Sequence, residues 1–203
     1  MDDQSAELPR ILPVLETGRL KLRPFEISDA KDVQRLAGDR AVADTTLNIP
    51  HPYDDGEAEI WISGHRDLFR KWEHAIFAIT LRETGELVGA MGLHLNTRFN
   101  RAELGYWIGK PYWNNGYCTE AGRRVVQFGF EDLLLNRIHA HYISRNPASG
   151  RVMEHIGMRS EGTMRQHVRK WDKYEDIVCY AILREDWERE DGGPGKQALK
   201  REP

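Results

Sequence analysis

A chain of 203 residues, 40% of them hydrophobic, is long enough to bury a sizeable core as a single domain without disulfide or metal staples. Its net charge of −3 argues against a broad nucleic-acid surface, and no apolar run reaches bilayer length. The two cysteines, Cys118 and Cys179, have no spacing suited to a disulfide framework or a zinc knuckle. The start, Met1–Gln4, lacks the basic-then-apolar order of a leader, so the expectation is a soluble cytoplasmic protein with no membrane or direct nucleic-acid partner.

Met1–Glu16 mixes acids and prolines without a period and reads as a flexible arm. Leu20 and Leu22 alternate with Arg19, Lys21 and Arg23 as a half-buried strand ending at Pro24. Ser28 and Asp29 supply an N-cap, Ala30, Val33, Leu36 and Ala37 an apolar stripe, and Gly38 a stop. Asp54 with Glu57 resembles a capping box. It opens one helix in which Ala58, Trp61, Ile62, His65, Leu68, Phe69 and Trp72 share a face.

The period then changes. Ala75–Leu81 and Leu87–Leu95 read as strands joined by a hairpin at Glu83-Thr84-Gly85-Glu86, and Ala102–Ile108 as the next strand. Thr119 to Leu133 reads as a helix with Ala121, Val125, Val126, Phe128 and Phe130 inward. Arg137–Ile143 reads as a strand and Ser149–Ile156 as a short helix closed by Gly157. Met158–Lys170 and Tyr174–Leu183 form a closing hairpin, and the charged, Gly-rich segment 188–203 reads as a disordered tail. A meander followed by a β-α-β unit requires a mixed α/β fold, with one mostly antiparallel sheet flanked by helices. Thr17–Trp187 forms the single domain.

Three motifs fall in order along this frame. Ala102–Gly109 is a strand with glycines at 105 and 109, Trp113-Asn114-Asn115-Gly116-Tyr117-Cys118-Thr119 is a loop opening a helix, and Asn146-Pro147-Ala148-Ser149 begins another. A loop with free N–H groups at a helix start suits a pyrophosphate, and Gly116 permits a left-handed backbone or a close approach. No Gly-Lys-Ser/Thr follows, which excludes an ordinary Walker loop.

The order and spacing resemble the GNAT superfamily of acetyl-CoA-dependent N-acetyltransferases, in particular the branch of ribosomal-protein-alanine acetyltransferases. The resemblance implies the acyl-CoA N-acyltransferase fold, with acetyl-CoA as cosubstrate and a primary amine, a peptide α-amine or a small molecule, as acceptor. It implies that backbone near Tyr106, Trp107 and Ile108 contacts pantetheine, that Asn114, Asn115, Gly116, Tyr117, Cys118 and Thr119 hold the pyrophosphate, that Asn146 hydrogen-bonds the arm, and that Ser149 lies near the sulfur. Asn115 stands where the family often has a small or basic residue, and Cys118 where alanine is common. Alternatives are the same fold with another acyl donor such as succinyl-CoA, or a non-catalytic acyl-CoA sensor.

An amine attacks a thioester only as the free base. Deprotonating a lysine at neutral pH costs about four to five kcal/mol, an α-amine about one. Glu103 is the candidate base: by strand parity it shares a face with Gly105 and Trp107, and the small Gly105 leaves room for a reacting group. Its competing role is a surface pair with Arg98 or Arg101. Ser149 is the candidate acid, its competing role a helix cap. Cys118 reads as a packing residue rather than an acyl carrier. His139 and His141 share a strand face but lack a third ligand, so no metal is expected. His51 and Tyr53, in a stiff Pro-His-Pro-Tyr connector, are the candidate acceptor wall, while Arg165, His167, Arg169 and Lys170 read as a solvated hairpin face. A homodimer through the sheet edge or helix faces is compatible with the sequence.

Overall fold

The computed structural model describes residues 11–190. Eight strands form one sheet: β1 (Leu15–Glu16), β2 (Leu20–Arg23), β3 (His74–Leu81), β4 (Leu87–Asn96), β5 (Arg101–Ile108), β6 (Arg137–Ile143), β7 (Arg159–Lys170) and β8 (Lys173–Leu183), in the spatial order β1-β2-β3-β4-β5-β6-β8-β7. The pair β5/β6 is parallel and the other six are antiparallel. This is the mixed, mostly antiparallel sheet expected from the sequence. The meander β3-β4-β5 follows from period-two patterning and from Gly85, which takes a left-handed backbone (φ 75°) in the first hairpin.

Helices cover both faces. On one, α5 (Tyr117–Glu131) and α6 (Pro147–His155) pack a core in which Phe77, Phe128, Phe130, Ile138 and Met153 are almost fully buried. Phe77 and Phe128 meet edge to face at 5.5 Å; each buried ring contributes roughly 1.5–3 kcal/mol. On the other, α1 (Ala30–Ala37), α2 (Arg40–Ala43) and α3 (Glu57–Ser63) bury Val33, Leu36, Val42 and Ile62 against Ala78, Ala90 and Trp107. Two further helices are α4 (His65–Arg70), before β3, and α7 (Arg184–Glu190), after β8.

Local differences from the sequence reading have physical causes. Asp29 does not cap α1 through a backbone bond from the helix; its buried carboxylate accepts both Arg23 guanidinium nitrogens (2.7 and 2.8 Å) and the Glu26 N–H (2.8 Å). The helix expected over Ala58–Trp72 is two, divided at Gly64, and its N-cap is Gly56 at φ 87° instead of an Asp54 capping box. At the start, Leu15 is buried and pairs with Leu22, so β1 belongs to the sheet, while residues 1–10 of the expected arm lie outside the described residues. At the end, α7 carries order to Glu190 because Trp187 stacks on Phe130 (5.4 Å); residues 191–203 of the expected tail lie outside the described residues. Among the described residues no helix is long and apolar enough to cross a membrane.

Candidate active site

The site begins where the sheet stops pairing. β5 and β6 are in register only at Arg101/Arg137, Ala102/Ile138 and Glu103/His139. Beyond that point β5 continues to Ile108 and β6 to Ile143 without further pairs, so the strands splay and open a cleft through the sheet. The cleft has a volume of about 1130 Å³ and reaches Glu103 and His141 at one end and the start of α5 and α6 at the other.

Parity on β5 then distributes the chemistry. Leu104 and Ile108 join the α5 core, with Tyr106 packed against it, while Trp107 belongs to the α1 core. Tyr106 and Glu103 therefore project to opposite faces, and the splay connects them. Tyr106 donates a hydrogen bond to the Ser149 carbonyl (3.1 Å), and the two hydroxyls lie 2.8 Å apart. Burial, more than any charge, pushes the Tyr106 phenol well above its usual range, so it stays protonated. The Ser149 hydroxyl thus faces Tyr106. Its backbone N–H, not its side chain, makes the turn bond to Asn146 (3.1 Å), and Asn146 sits at the N-cap without a side-chain cap bond. The long-range Tyr106–Ser149 pair had no signal in the sequence, which reads Tyr106 as a strand residue.

The loop before α5 is built on left-handed backbone at Asn114 (φ 62°) and Gly116 (φ 77°), with Gly116 as N-cap and no side chain closing the helix start. Its first N–H groups stay open toward the cleft, which Asn114, Gly116, Tyr117, Cys118 and Thr119 all line. Asn115 turns away: its side-chain amide donates to the Tyr112 and Trp113 carbonyls (both 3.1 Å), and its carbonyl accepts from Arg19 (3.0 Å). Arg19 lies over the Tyr117 ring (4.8 Å) and pairs with Glu120, whose carboxylate also takes the Thr17 hydroxyl (2.6 Å). A basic side chain from the far end of the chain thus flanks the loop whose own sequence lacks one. Arg151 of α6 lines the cleft as well.

Trp107 and Ile108 also line the cleft, and the Ile108 carbonyl accepts the Trp113 indole N–H (2.6 Å). Cys118 shares the wall, and desolvation pushes its thiol up to about 12, which leaves it protonated at neutral pH.

At the other end Glu103 is half-exposed, with His141 Nδ1 3.4 Å and His139 Nε2 3.8 Å from its carboxylate oxygens. The histidines that the sequence placed on one strand face are therefore partners of Glu103, in place of the Arg98 or Arg101 of its competing surface role. The wall beyond is apolar and aromatic: Tyr53, Ile60, Trp61, Leu68 and the buried His65. His51 is not brought to the cleft; its Nδ1 lies 3.0 Å from the Gly38 carbonyl and its ring against Trp171. Lys170 is buried instead of solvated, its Nζ donating to the Leu47 and Ile49 carbonyls (3.3 and 3.4 Å) and sitting over the Trp171 ring. Arg145 donates to Asp44 and Glu175, so the connector after α2 is tied to β8 from two sides.

A cleft through a splayed mixed sheet, with an uncapped helix start on one side and a carboxylate on the other, is the architecture of an acyl-CoA-dependent acyltransferase. The family model for the acetyltransferase (GNAT) domain matches residues 19–159, and the chain belongs to this family of enzymes, which move an acetyl group from acetyl-CoA to an amine. It is similar to the uncharacterized N-acetyltransferase YoaA of Bacillus subtilis (31% identical over 175 residues, 86% of this chain and 98% of that protein). It is also similar to the putative ribosomal N-acetyltransferase YdaF of the same organism (37% over 107 residues, 52% of this chain and 58% of that one). Among solved structures, an acetyltransferase (GNAT family) from Bacillus anthracis superposes with a TM-score of 0.76 at 27% identity, covering 85% of this chain and 99% of that one.

Proposed function

We propose that this acetyltransferase acts on the α-amine of a peptide or on a small monoamine, with Glu103 as general base and Ser149 as proton donor in a direct transfer. The observation that carries the reading is the splay: it joins the Ser149–Tyr106 hydroxyl pair on one face of the sheet to Glu103 on the other within one cleft. The open start of α5 around Gly116 fits a pyrophosphate, and the Tyr106–Ile108 stretch, paired with β4 but not with β6, fits with Asn146 the amides of the pantetheine arm. Acetyl-CoA, when bound, supplies the thioester that the amine attacks.

Glu103 takes the proton of the incoming ammonium at a carboxylate oxygen. Ser149 Oγ, held by Tyr106, hands a proton to the departing sulfur and takes back the second proton that the nitrogen sheds as the adduct collapses to the amide, and the protonated phenol keeps that hydroxyl oriented. Of the carboxylates, only Glu57 and Glu103 line the cleft among the described residues, which suits a single cation better than a polyamine.

The test is thiol release from acetyl-CoA with an alanine-starting peptide, a serine-starting peptide, phenethylamine and spermidine, beside calorimetric titration with acetyl-CoA, coenzyme A and ATP. Expected are saturable binding of both coenzymes but not ATP, turnover of a monoamine or peptide above spermidine, and a Glu103→Gln rate deficit largest at low pH. An unchanged pH profile in Glu103→Gln removes Glu103 from the mechanism, and a normal kcat in Ser149→Ala removes Ser149.

A further inference from the structure

Glu103 is one rung of a ladder that crosses the sheet. The registers pair His74 with His94, His94 with Glu103, and Glu103 with His139, one residue on each of four adjacent strands. Directly paired residues project to the same face with their β-carbons about 5 Å apart, so these four side chains form a continuous row. The His74 and His94 rings lie 4.3 Å apart, and Glu103 reaches His139 at 3.8 Å and His141 at 3.4 Å. The row has two ends. His74, His94, Glu103 and His141 line the large cleft; His74, His94 and Glu103 also line a second, polar cavity of about 440 Å³, where His139 takes the place of His141, with Glu73 and Arg101 at its wall. His74, His94 and Glu103 stand in the partition between the two, and His139 opens on the second cavity alone.

We propose that this row is a proton outlet: the proton that Glu103 takes from the acceptor amine passes to His139, with His94 as the parallel branch, and leaves through the second cavity to solvent. The proposal rests on Glu103 being the base. The step balances as an ammonium N–H broken and a carboxyl O–H formed, then that O–H broken and an imidazolium N–H formed, then release to water; the carboxylate and both neutral imidazoles are regenerated each turnover.

Two physical features favour passage over trapping. Desolvation holds His139 and His94 below the usual imidazole range, while the charge of Glu103 pulls both upward. They are therefore neutral at pH 7 and ready to accept, and they do not retain the proton. The other charges acting on the row are Arg101 on β5, Arg137 on β6 and Glu161 on β7, the last two paired with each other. A cleft filled by both substrates closes that side of Glu103 to bulk water and leaves the second cavity, where His139 lies, as the way out.

The experiment uses the full chain. With the fastest amine of the panel above, His139→Gln should lower kcat about tenfold at unchanged KM and shift the pH profile, and added imidazole, small enough for the second cavity, should restore much of the rate. Independently of any acceptor, ¹³C-histidine NMR titration should show the His139 and His94 transitions moving to lower pH together in Glu103→Gln. If Glu103→Gln is slow while His139→Gln and His94→Asn keep wild-type kcat and pH profile, the outlet is overturned and the base reading stands. If Glu103→Gln itself keeps the wild-type rate and profile, the base reading fails and the outlet with it. Histidine titrations unmoved by Glu103→Gln overturn the outlet even where a variant fails to fold.

Discussion

His65 makes the stability of this protein depend on acid in a way that one substitution should remove. Its ring is buried between Trp61 (4.4 Å, edge-on) and Phe25 (5.5 Å), and neither ring nitrogen has a hydrogen-bond partner among the described residues. Burial, with a smaller push from His74, lowers its pKa from 6.5 to about 4. Between those two values the unfolded chain holds a proton that the folded chain does not, so stability rises with pH across the window and is lost as pH falls. At pH 5 the unfolded imidazole is about 97% protonated and the folded one about a tenth, which corresponds to a loss of about 2 kcal/mol relative to pH 7.5; below pH 4 the loss reaches roughly 3 kcal/mol. His65→Phe keeps the aromatic packing and removes the titration. Urea unfolding of both proteins at pH 7.5 and pH 5 should give a wild-type loss about 2 kcal/mol larger than that of the variant. A difference below about 0.5 kcal/mol would mean that His65 protonates in the folded state without cost, and the burial argument would be refuted.

Two further outcomes follow from the loop before α5. Cys118, its thiol raised to about 12, should be alkylated by iodoacetamide at pH 7.5 at least a hundredfold more slowly than free cysteine, and mass spectrometry after mixing with acetyl-CoA should find no acetyl group on it. Gly116→Ala meets no tight contact, its β-carbon lying 3.5 Å from the Arg19 guanidinium, but it forces alanine to φ 77°. That costs about 1–2 kcal/mol, so coenzyme A affinity by calorimetry should fall about five- to thirtyfold if the loop relaxes to escape the strain, and an unchanged affinity would detach the loop from binding.

The sheet was legible because its signals are local. Alternation in β3 to β5, the turn at Gly85, the stripe of α5 and the stop at Gly157 each need only neighbours in sequence. The break at Gly64 was not legible, since its backbone stays in the right-handed helical region and the apolar stripe keeps its phase across it. Helix α7 was hidden by its charge: Arg189 pairs with Glu185 and Arg184 with Glu188, and of its two buried described residues, Asp186 and Trp187, one is itself a carboxylate. In the site, the loop with Gly116 could be read because the backbone demanded special residues. The partners of Glu103 and Ser149 could not. They lie across strand registers or 43 residues away, and a shift of one residue in either register would send them to the opposite face.

The short seam between β5 and β6 also makes this a protein of two plates. Three residue pairs join a five-stranded plate to a three-stranded one, and further links include the Asn136 N–H to the Asn100 carbonyl (2.9 Å), α5, α6 and side-chain ties such as Arg145 to Asp44. A ladder this brief gives the sheet a built-in fault line, along which amide exchange through partial opening should be faster than in either plate. Whatever fills the gap supplies the rungs that the backbone omits. Breathing along the seam and occupancy of the cleft are then one equilibrium, and the joint that admits a ligand is the joint that the ligand stiffens.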